Sequence, residues 1–163
     1  MQKITPFLWF DKNAEEAMNF YVSVFKSSPD KNATDSEIVS IDRYPGGFTE
    51  GPMAGMEGKV LTGIFKLAGQ QFMALDGGPV FKFTPAISLY VECQDQAEID
   101  YFFEKMSAVP EFEQCGWLKD KYDLSWQIIP KNMGELVKKP KALKAMLSMK
   151  KIDIEALKKA GEE

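Results

Sequence analysis

The sequence predicts an α+β fold made of two βαβββ modules and a helical tail. Residues 3–6 (KITP) return as residues 82–85 (KFTP), and an apolar strand pattern follows each run. The rest of each half then repeats the same order of helix and strand patterns. A repeat of about 80 residues is too long for a solenoid and fits a duplicated supersecondary unit. We therefore expect a body at 1–130, with module one at about 1–79 and module two at about 80–130, and a tail at 131–163.

The sequence of module one predicts the element order β-α-β-β-β. An apolar run follows the KITP sequence, and Asn13 with Glu16 three residues later is a helix-start signature. An amphipathic helix pattern begins there, and strand patterns follow it. Ala68-Gly69 suits a tight hairpin connection between the last two strands. The strand patterns lie at residues 37–43, 59–67 and 70–75.

A segment rich in Gly and Pro, residues 45–58, precedes the second of these strand patterns. It lacks the Gly-Lys-Ser or Gly-Lys-Thr of a phosphate-binding loop. A dinucleotide-binding glycine turn lies between a strand and a helix, whereas Gly58-Lys59 leads into a strand pattern. The segment is therefore typical of a mobile flap over a pocket or of a plain hairpin connection.

The second module is shorter than the first. Asp95 with Glu98 three residues later predicts the start of its helix. Strand patterns follow at residues 113–119 and 124–129. A further strand is needed to complete the βαβββ order, and the sequence places it only vaguely, near Phe112.

The tail carries short helix patterns, with Pro140 in a first turn and Asp153 as a capping residue. These patterns hold more apolar side chains than can remain in water, so the tail must pack on something. The sequence leaves two alternatives open, namely the body of its own chain and a partner subunit.

Charge is distributed unevenly along the chain. Residues 1–130 carry 11 basic and 19 acidic side chains, whereas residues 131–163 carry 9 lysines and 5 acids. The lysines lie on amphipathic helix patterns, which is typical of a solvated helix face. An acidic body also opposes the broad phosphate contact that nucleic-acid binding needs. We therefore expect no nucleic-acid partner.

The composition excludes several kinds of site. The chain has no histidine, and its cysteines are Cys93 and Cys115. It therefore lacks Ser/His/Asp and Cys/His nucleophilic systems and zinc sites built on His or on four cysteines. The two cysteines favour reduced thiols in a cytoplasmic protein, and a disulfide stays open if their strands are neighbours. We expect no membrane partner, because no apolar run is long enough to span a membrane and the N-terminus has no signal-peptide layout.

Four motifs carry a family resemblance. In their order along the chain they resemble the PhnB-like proteins of the vicinal oxygen chelate superfamily, which includes glyoxalase I, extradiol dioxygenases, and fosfomycin and bleomycin resistance proteins. The resemblance covers residues 2–160 and implies the glyoxalase/bleomycin-resistance fold of paired βαβββ modules. Members of the group are often labelled 3-demethylubiquinone-9 3-methyltransferases. The motifs are ITPFLWFD at 4–11, FYVSVF at 20–25, GQQFMALDGGP at 69–79, and CGWLKDKY at 115–122 with SWQI at 125–128.

The resemblance also implies where a metal would be bound. Metal-using members of the superfamily place His and Glu ligands on the first and last strands of each module. No corresponding position here is His or Glu, and hydroxyl, thioether and amide groups do not suit a borderline divalent ion. A strand-to-helix glycine turn for S-adenosylmethionine is also missing, so we expect neither metal nor cofactor. The corresponding positions are Ile4 or Thr5, Met73, Phe83 or Thr84, and Gln127.

The same positions would line a ligand pocket in the implied fold. A concave site with aromatic walls and few polar groups is the usual form of a small-molecule site. Core packing is the alternative for Trp9, Phe72 and Trp126, and an inert buried thiol is the alternative for Cys115. Trp126 is a further candidate wall. The main pocket candidates are Trp9, Tyr44, Phe72, Met73, Cys115, Trp117, Lys119 and Gln127.

The sequence therefore predicts a cytoplasmic, metal-independent protein that binds a small molecule. We expect a homodimer whose subunits share a sheet or exchange the tail. One alternative is an enzyme, either an isomerase or lyase using Glu, Asp, Tyr44 or Cys115, or the methyltransferase named by the family label. Another is an interaction module whose basic tail docks on a second protein.

Overall fold

The computed structural model describes all 163 residues, and the chain divides into unit 1, Met1–Lys82, and unit 2, Phe83–Glu163. This boundary lies three residues beyond the predicted end of module one. The tail does not form a unit of its own, because unit 2 includes it. None of the helices has the length and apolar composition that a membrane-spanning helix needs.

Unit 1 has the predicted order β-α-β-β-β. Its four strands lie in the order β1-β4-β3-β2, with β1 parallel to β4 and the other neighbours antiparallel. A short 3₁₀ helix, Lys31–Ala33, follows the α-helix. The Gly- and Pro-rich segment connects β2 with β3 as a hairpin connection. The elements are β1 (Phe7–Phe10), α1 (Ala14–Lys26), β2 (Glu37–Arg43), β3 (Val60–Leu67) and β4 (Gln70–Asp76).

One face of this sheet packs against α1 and forms the core of unit 1. Successive strand residues point to opposite faces, so alternate apolar residues on β1, β3 and β4 are buried together. A Cβ atom on Gly63 would lie 2.5 Å from the sulfur of Met18, which shows how closely α1 approaches β3. The buried apolar residues of this sheet face include Leu8, Phe10, Phe65, Leu67, Phe72 and Ala74.

Buried Asp76 ties three elements of unit 1 together. Its carboxylate accepts hydrogen bonds from the backbone N–H groups of Ala14 and Val60, both at 2.9 Å. The helix therefore starts where the sequence predicts. The side chain of Asn13 makes no capping hydrogen bond, and Asp76 accepts the first N–H group of the helix in its place.

Unit 2 contains a three-stranded sheet in the order β5-β7-β6, with β5 parallel and β6 antiparallel to β7. Trp126 and Ile128 on β7 are buried, and Asp120 accepts the indole N–H of Trp126 at 2.8 Å. Asp95 caps α2 by accepting the N–H of Glu98. The elements are β5 (Ser88–Cys93), α2 (Gln96–Met106), β6 (Trp117–Lys119) and β7 (Ser125–Pro130).

The expected strand at 113–119 is wrong in its first half, and no strand forms near Phe112. The chain forms a short 3₁₀ helix, Pro110–Phe112, and β6 begins only at Trp117. Cys115 and Gly116 have φ values of 52° and 88° and form a tight turn between Gln114 and Trp117. Two successive residues with positive φ are typical of a two-residue hairpin turn, which ends the strand pattern.

The tail packs within unit 2. Buried Ile152 and Leu157 form an apolar cluster with Ile129 on β7. The carbonyl groups of Met149 and Lys150 accept the N–H groups of the turn that precedes β6. The tail thus contacts β7 and the turn before β6 of its own chain. Its helices are α3 (Met133–Leu136), α4 (Pro140–Leu147) and α5 (Ile154–Glu162).

Candidate functional site

The sheet face of unit 2 that lies opposite α2 carries three of the eight pocket candidates, namely Trp117, Lys119 and Gln127. Strand register places Ser88, Ser125 and Lys119 in one row across the sheet. Tyr90, Gln127 and Trp117 form the next row, and residues two apart on a strand share a face. We call this surface the polar face, and its members are Ser88, Tyr90, Trp117, Lys119, Ser125 and Gln127.

Two groups at the centre of the polar face differ in their hydrogen bonding. The side-chain amide of Gln127 donates to the Ser88 hydroxyl at 3.0 Å. The hydroxyl of Ser125 is fully buried and has no hydrogen-bond partner. A buried polar group without a partner costs about 1–3 kcal/mol. The chain itself therefore supplies no partner for this hydroxyl.

Lys119 lies over the ring of Phe112, which in turn contacts Trp117. Its ammonium nitrogen is 4.6 Å from the ring centroid of Phe112, a distance that allows a cation–π contact. The rings of Phe112 and Trp117 meet edge to face, with centroids 6.4 Å apart and planes at 74°. One cation and two aromatic surfaces are thus held together at the edge of the polar face.

Tyr90 supplies a further hydroxyl. Desolvation raises the pKa of Tyr90, and the nearby Glu92 carboxylate raises it further. A phenol is protonated at neutral pH and can donate a hydrogen bond. Its side chain remains 54% exposed, so a bound molecule could reach it.

Cys115 lies outside the polar face, in the turn that precedes β6. Its φ of 52° is uncommon for a residue with a side chain, and its sulfur is 3.5 Å from the amide nitrogen of Gln114. Cys93 is buried at the end of β5, and burial raises the pKa of its thiol. Both cysteines are free thiols in the structure.

In unit 1, the sheet face opposite α1 carries Trp9 and Met73. The register places Phe7 beside Met73 and Trp9 beside Leu75. The indole N–H of Trp9 donates to the carbonyl of Gly78 at 2.9 Å, so its polar group is already satisfied. This face is therefore mainly apolar.

The two other candidates of unit 1 lie elsewhere. Phe72 precedes Met73 on β4 and therefore points to the opposite face, where it is buried and stacks on Phe65 with centroids 5.5 Å apart. Tyr44 follows β2, and its hydroxyl donates to the carbonyl of Asp76 at 2.9 Å. Phe72 is thus part of the core, and Tyr44 braces the end of β4.

The residues at the implied metal positions do not fit a divalent ion. Met73 offers a thioether and Gln127 a neutral amide oxygen, and a borderline divalent ion prefers imidazole, thiolate or carboxylate to either. Thr84 accepts the N–H of Ala86 through its hydroxyl. No group of three or more His, Cys, Asp or Glu side chains in the chain could hold a metal ion.

Two surface cavities lie away from the predicted pocket residues. One of about 370 Å³ lies beside the start of α1, where Arg43 and Glu15 form a two-pronged ion pair. The hydrogen bonds from Arg43 lower the pKa of Glu15. The other, of about 310 Å³, lies beside Leu136 and Leu157 in the tail. No predicted pocket residue lines either cavity.

Comparison with known proteins identifies the family. Residues 2–129 match the family described as 3-demethylubiquinone-9 3-methyltransferase. The chain belongs to this family. The structure is similar to a PhnB protein from Bacillus cereus, described as a 3-demethylubiquinone-9 3-methyltransferase, with 45% identity and a TM-score of 0.61. The match covers 79% of this chain and 99% of the Bacillus protein, and it confirms the PhnB-like resemblance.

Other solved structures are also similar to this member of the family. A Pseudomonas aeruginosa protein is 18% identical, with a TM-score of 0.57 over 80% of this chain and 98% of its own, which supports the fold alone. A Staphylococcus aureus protein is 30% identical over 80% of this chain and 97% of its own, with a TM-score of 0.34. No curated protein matches the chain.

Sequence reasoning found half of the polar face and missed the other half. Trp117, Lys119 and Gln127 were candidates, and β6 and β7 bring them together. Ser88, Tyr90 and Ser125 are not among the sequence candidates, although the spacing of Ser125 and Gln127 on one strand is a signal of a shared polar face.

Proposed function

We propose that this PhnB-like protein binds a small molecule on the polar face of unit 2 and needs no metal to do so. The observation that carries the proposal is the buried hydroxyl of Ser125, which lacks a partner within the chain. A ligand that accepts its hydrogen bond would remove that cost on binding.

The surroundings of Ser125 support this function. Small-molecule sites combine aromatic walls with a few polar groups that fix the orientation of the ligand. Trp117 supplies such a wall, and Lys119 and Gln127 supply polar groups in the same two rows. Direct metal chemistry is not part of the proposal, because the donor atoms at the implied metal positions are unsuitable.

The test is to screen the purified protein against small aromatic and aliphatic metabolites by thermal shift, followed by calorimetry with and without EDTA. We expect at least one compound to bind with the same affinity in both conditions. Trp117→Ala should weaken it by about fivefold or more, because an aromatic contact is lost. Phe48→Ala is the matched control, because Phe48 is an exposed aromatic residue of unit 1. Binding that EDTA abolishes would contradict the metal-independent function.

A second candidate function is the methyl transfer named in the family description. It requires S-adenosylmethionine to bind, and the glycine-rich segment of this chain connects two strands rather than a strand and a helix. We expect S-adenosylmethionine to leave the unfolding temperature unchanged. A saturable stabilisation by this compound, with methyl transfer to a quinol acceptor, would favour the enzyme instead.

We also propose a cytoplasmic homodimer. The free thiols of Cys93 and Cys115 support a reducing compartment. Strand β1 lies at an edge of its sheet and exposes Phe7 at 47%, and an apolar edge strand is a common pairing site between chains. Sedimentation equilibrium should therefore give twice the chain mass, and Phe7→Glu should lower it. A monomer at micromolar concentration would contradict the dimer.

A further inference from the structure

The charge on Lys119 is not neutralised by the chain. None of the ion pairs of the protein involves Lys119, and its ammonium group lies against the ring of Phe112 instead. The next residue, Asp120, is fully buried on the other side, where its carboxylate accepts the N–H groups of Tyr122 and Trp126. The polar face therefore presents a cation whose nearest acid along the chain is engaged elsewhere.

Ser125, whose hydroxyl is unpartnered, neighbours Lys119 in the sheet. Lys119 and Ser125 are register partners on neighbouring antiparallel strands. Side chains of such partners lie about 5 Å apart at Cβ, close enough for one acceptor group to contact both. An ammonium and a hydroxyl are both donors, so the group that they fit is a carboxylate or a similar anion.

The aromatic pair beside Lys119 defines the rest of the ligand. Phe112 and Trp117 meet at 74°, which forms a corner with two flat apolar surfaces. Planar rings pack on such surfaces edge to face or in offset stacks. The body of the ligand that suits this corner is therefore flat and aromatic.

The opposite end of the polar face carries negative charge. Glu92 follows Tyr90 on the same face of β5 and pairs with Ile129, two rows from Ser125. Lys119 is the one cation among the members of the polar face, so a second carboxylate on the ligand would find no positive partner at this end. The arrangement favours a single negative charge at the Lys119 end.

We propose that the polar face is selective for a small aromatic monocarboxylate, whose carboxylate is held by Lys119 and Ser125 and whose ring packs on Trp117 and Phe112. This selectivity rests on the proposed small-molecule-binding function and gives it a chemical class.

Calorimetry of the full chain with naphthoate and naphthamide tests the proposal, because these probes share their rings and differ in charge. We expect naphthoate to bind about tenfold or more tightly than naphthamide, as for a hydrogen bond to a charged group. Lys119→Met should abolish this preference, and Lys119→Arg should restore part of it. Lys121→Met is the matched control, because Lys121 also lies over an aromatic ring, that of Tyr122.

Ser125→Ala separates a ligand contact from a structural role. It should weaken naphthoate several-fold and naphthamide less, because a hydrogen bond to a charged group is stronger than one to a neutral amide. Thermal unfolding should stay at or above the wild-type temperature, because an unsatisfied hydroxyl is removed. Equal affinity of the wild type for both probes would overturn the carboxylate selectivity and leave the binding function standing. Absence of binding by both probes would also overturn the carboxylate selectivity. The binding function itself would be contradicted only if no compound of the metabolite screen bound.

Discussion

The outer sheet faces of the two units differ in chemistry although the units share a plan. Met73 on β4 and Gln127 on β7 hold the same place, because each pairs with the first strand of its unit on one side and with a hairpin partner on the other. Around Met73 lie Phe7 and Ile64, whereas around Gln127 lie a tyrosine and a tryptophan. Core packing preserves alternation on the inner face, and the outer face is free to diverge. We therefore expect a ligand to be recognised on the polar face of unit 2.

The edges of the two sheets differ as well. Unit 1 has β2 as a fourth strand, whereas unit 2 has a turn whose N–H groups bind the carbonyls of Met149 and Lys150 in the tail. The tail thus satisfies backbone groups in a unit that lacks a fourth strand. A supersecondary unit can therefore be completed by a strand or by a helical segment, provided that backbone groups find partners.

Removal of the buried carboxylate of Asp76 should have the largest effect on stability, because two backbone N–H groups of unit 1 donate to it. Asp76→Ala leaves the N–H groups of Ala14 and Val60 without their acceptor. We expect a loss of about 1–3 kcal/mol in unfolding free energy for each of the two donors. Urea denaturation followed by circular dichroism measures it.

Two variants sharpen this prediction. Asp76→Asn keeps one acceptor oxygen, so it should cost about half as much as Asp76→Ala. Asp11→Ala removes an exposed acid and should change the unfolding free energy by less than about 0.5 kcal/mol. Equal effects of the two alanine variants would show that the carboxylate of Asp76 does not hold the elements together.

The apolar cluster of the tail should be next in size. Leu157 is fully buried with Ile129 and Ile152, so Leu157→Ala should lower the unfolding free energy by about 2–5 kcal/mol. Leu147→Ala makes the same chemical change at a tail residue that is 55% exposed, and it should cost little. If both variants were equally stable, the tail would not be an integral part of unit 2.

Much of unit 1 was predictable, because its strands form where the hydrophobic residues alternate along the sequence. The strand expected at 37–43 forms over those residues, and the strand expected at 70–75 is one residue longer. Unit 2 was less predictable. Its strand pattern at 113–119 continues through Cys115, but the positive φ of that residue and of Gly116 turns the chain there. Alternation of apolar and polar residues does not indicate where the backbone adopts a positive φ and turns.

The candidate site was predictable only where one strand carries the signal. Trp117 and Lys119 alternate on β6, so a shared face could be read from their spacing. The pairing of Ser125 with Lys119 depends on the register between strands, which a single sequence does not specify. The candidates include both Phe72 and Met73, although consecutive residues on one strand point to opposite faces, and this alternation can be read without any register.

Cys93 gives a pH-dependent effect that distinguishes the core of unit 2 from its surface. Burial raises the pKa of its thiol, and the charges of Glu98 and Asp95 add to this. In the unfolded chain the thiol ionises near its ordinary pKa of about 8.5, whereas in the folded chain it stays protonated. Stability is therefore full below this pKa and falls as pH rises above it, by about 2 kcal/mol at about pH 10.

The measurement is the unfolding free energy of wild type and Cys93→Ala at about pH 7 and about pH 10. The fall between the two pH values should be smaller in the variant by the amount due to Cys93. Cys115→Ala is the control, because this thiol is partly exposed. An identical pH dependence in wild type and Cys93→Ala would show that the Cys93 thiol ionises as easily in the folded protein as in the unfolded chain.

The smallest expected effect concerns the ion pairs that attach the first helix of each unit to its edge. In unit 1 Glu15 pairs with Arg43 on β2, and in unit 2 Asp100 on α2 pairs with Lys151 of the tail at 2.7 Å. The hydrogen bond from Lys151 lowers the pKa of Asp100, so this pair stabilises above the ordinary Asp pKa of about 3.9 and is lost as pH falls below it. Both partners are partly exposed, so Lys151→Met should cost only about 0.2–1 kcal/mol in low salt and almost nothing in about 1 M NaCl. Lys144→Met, which removes an exposed tail lysine outside the ion pairs, should show no such salt dependence, and a matching loss there would mean that net charge rather than the Asp100 pair is responsible.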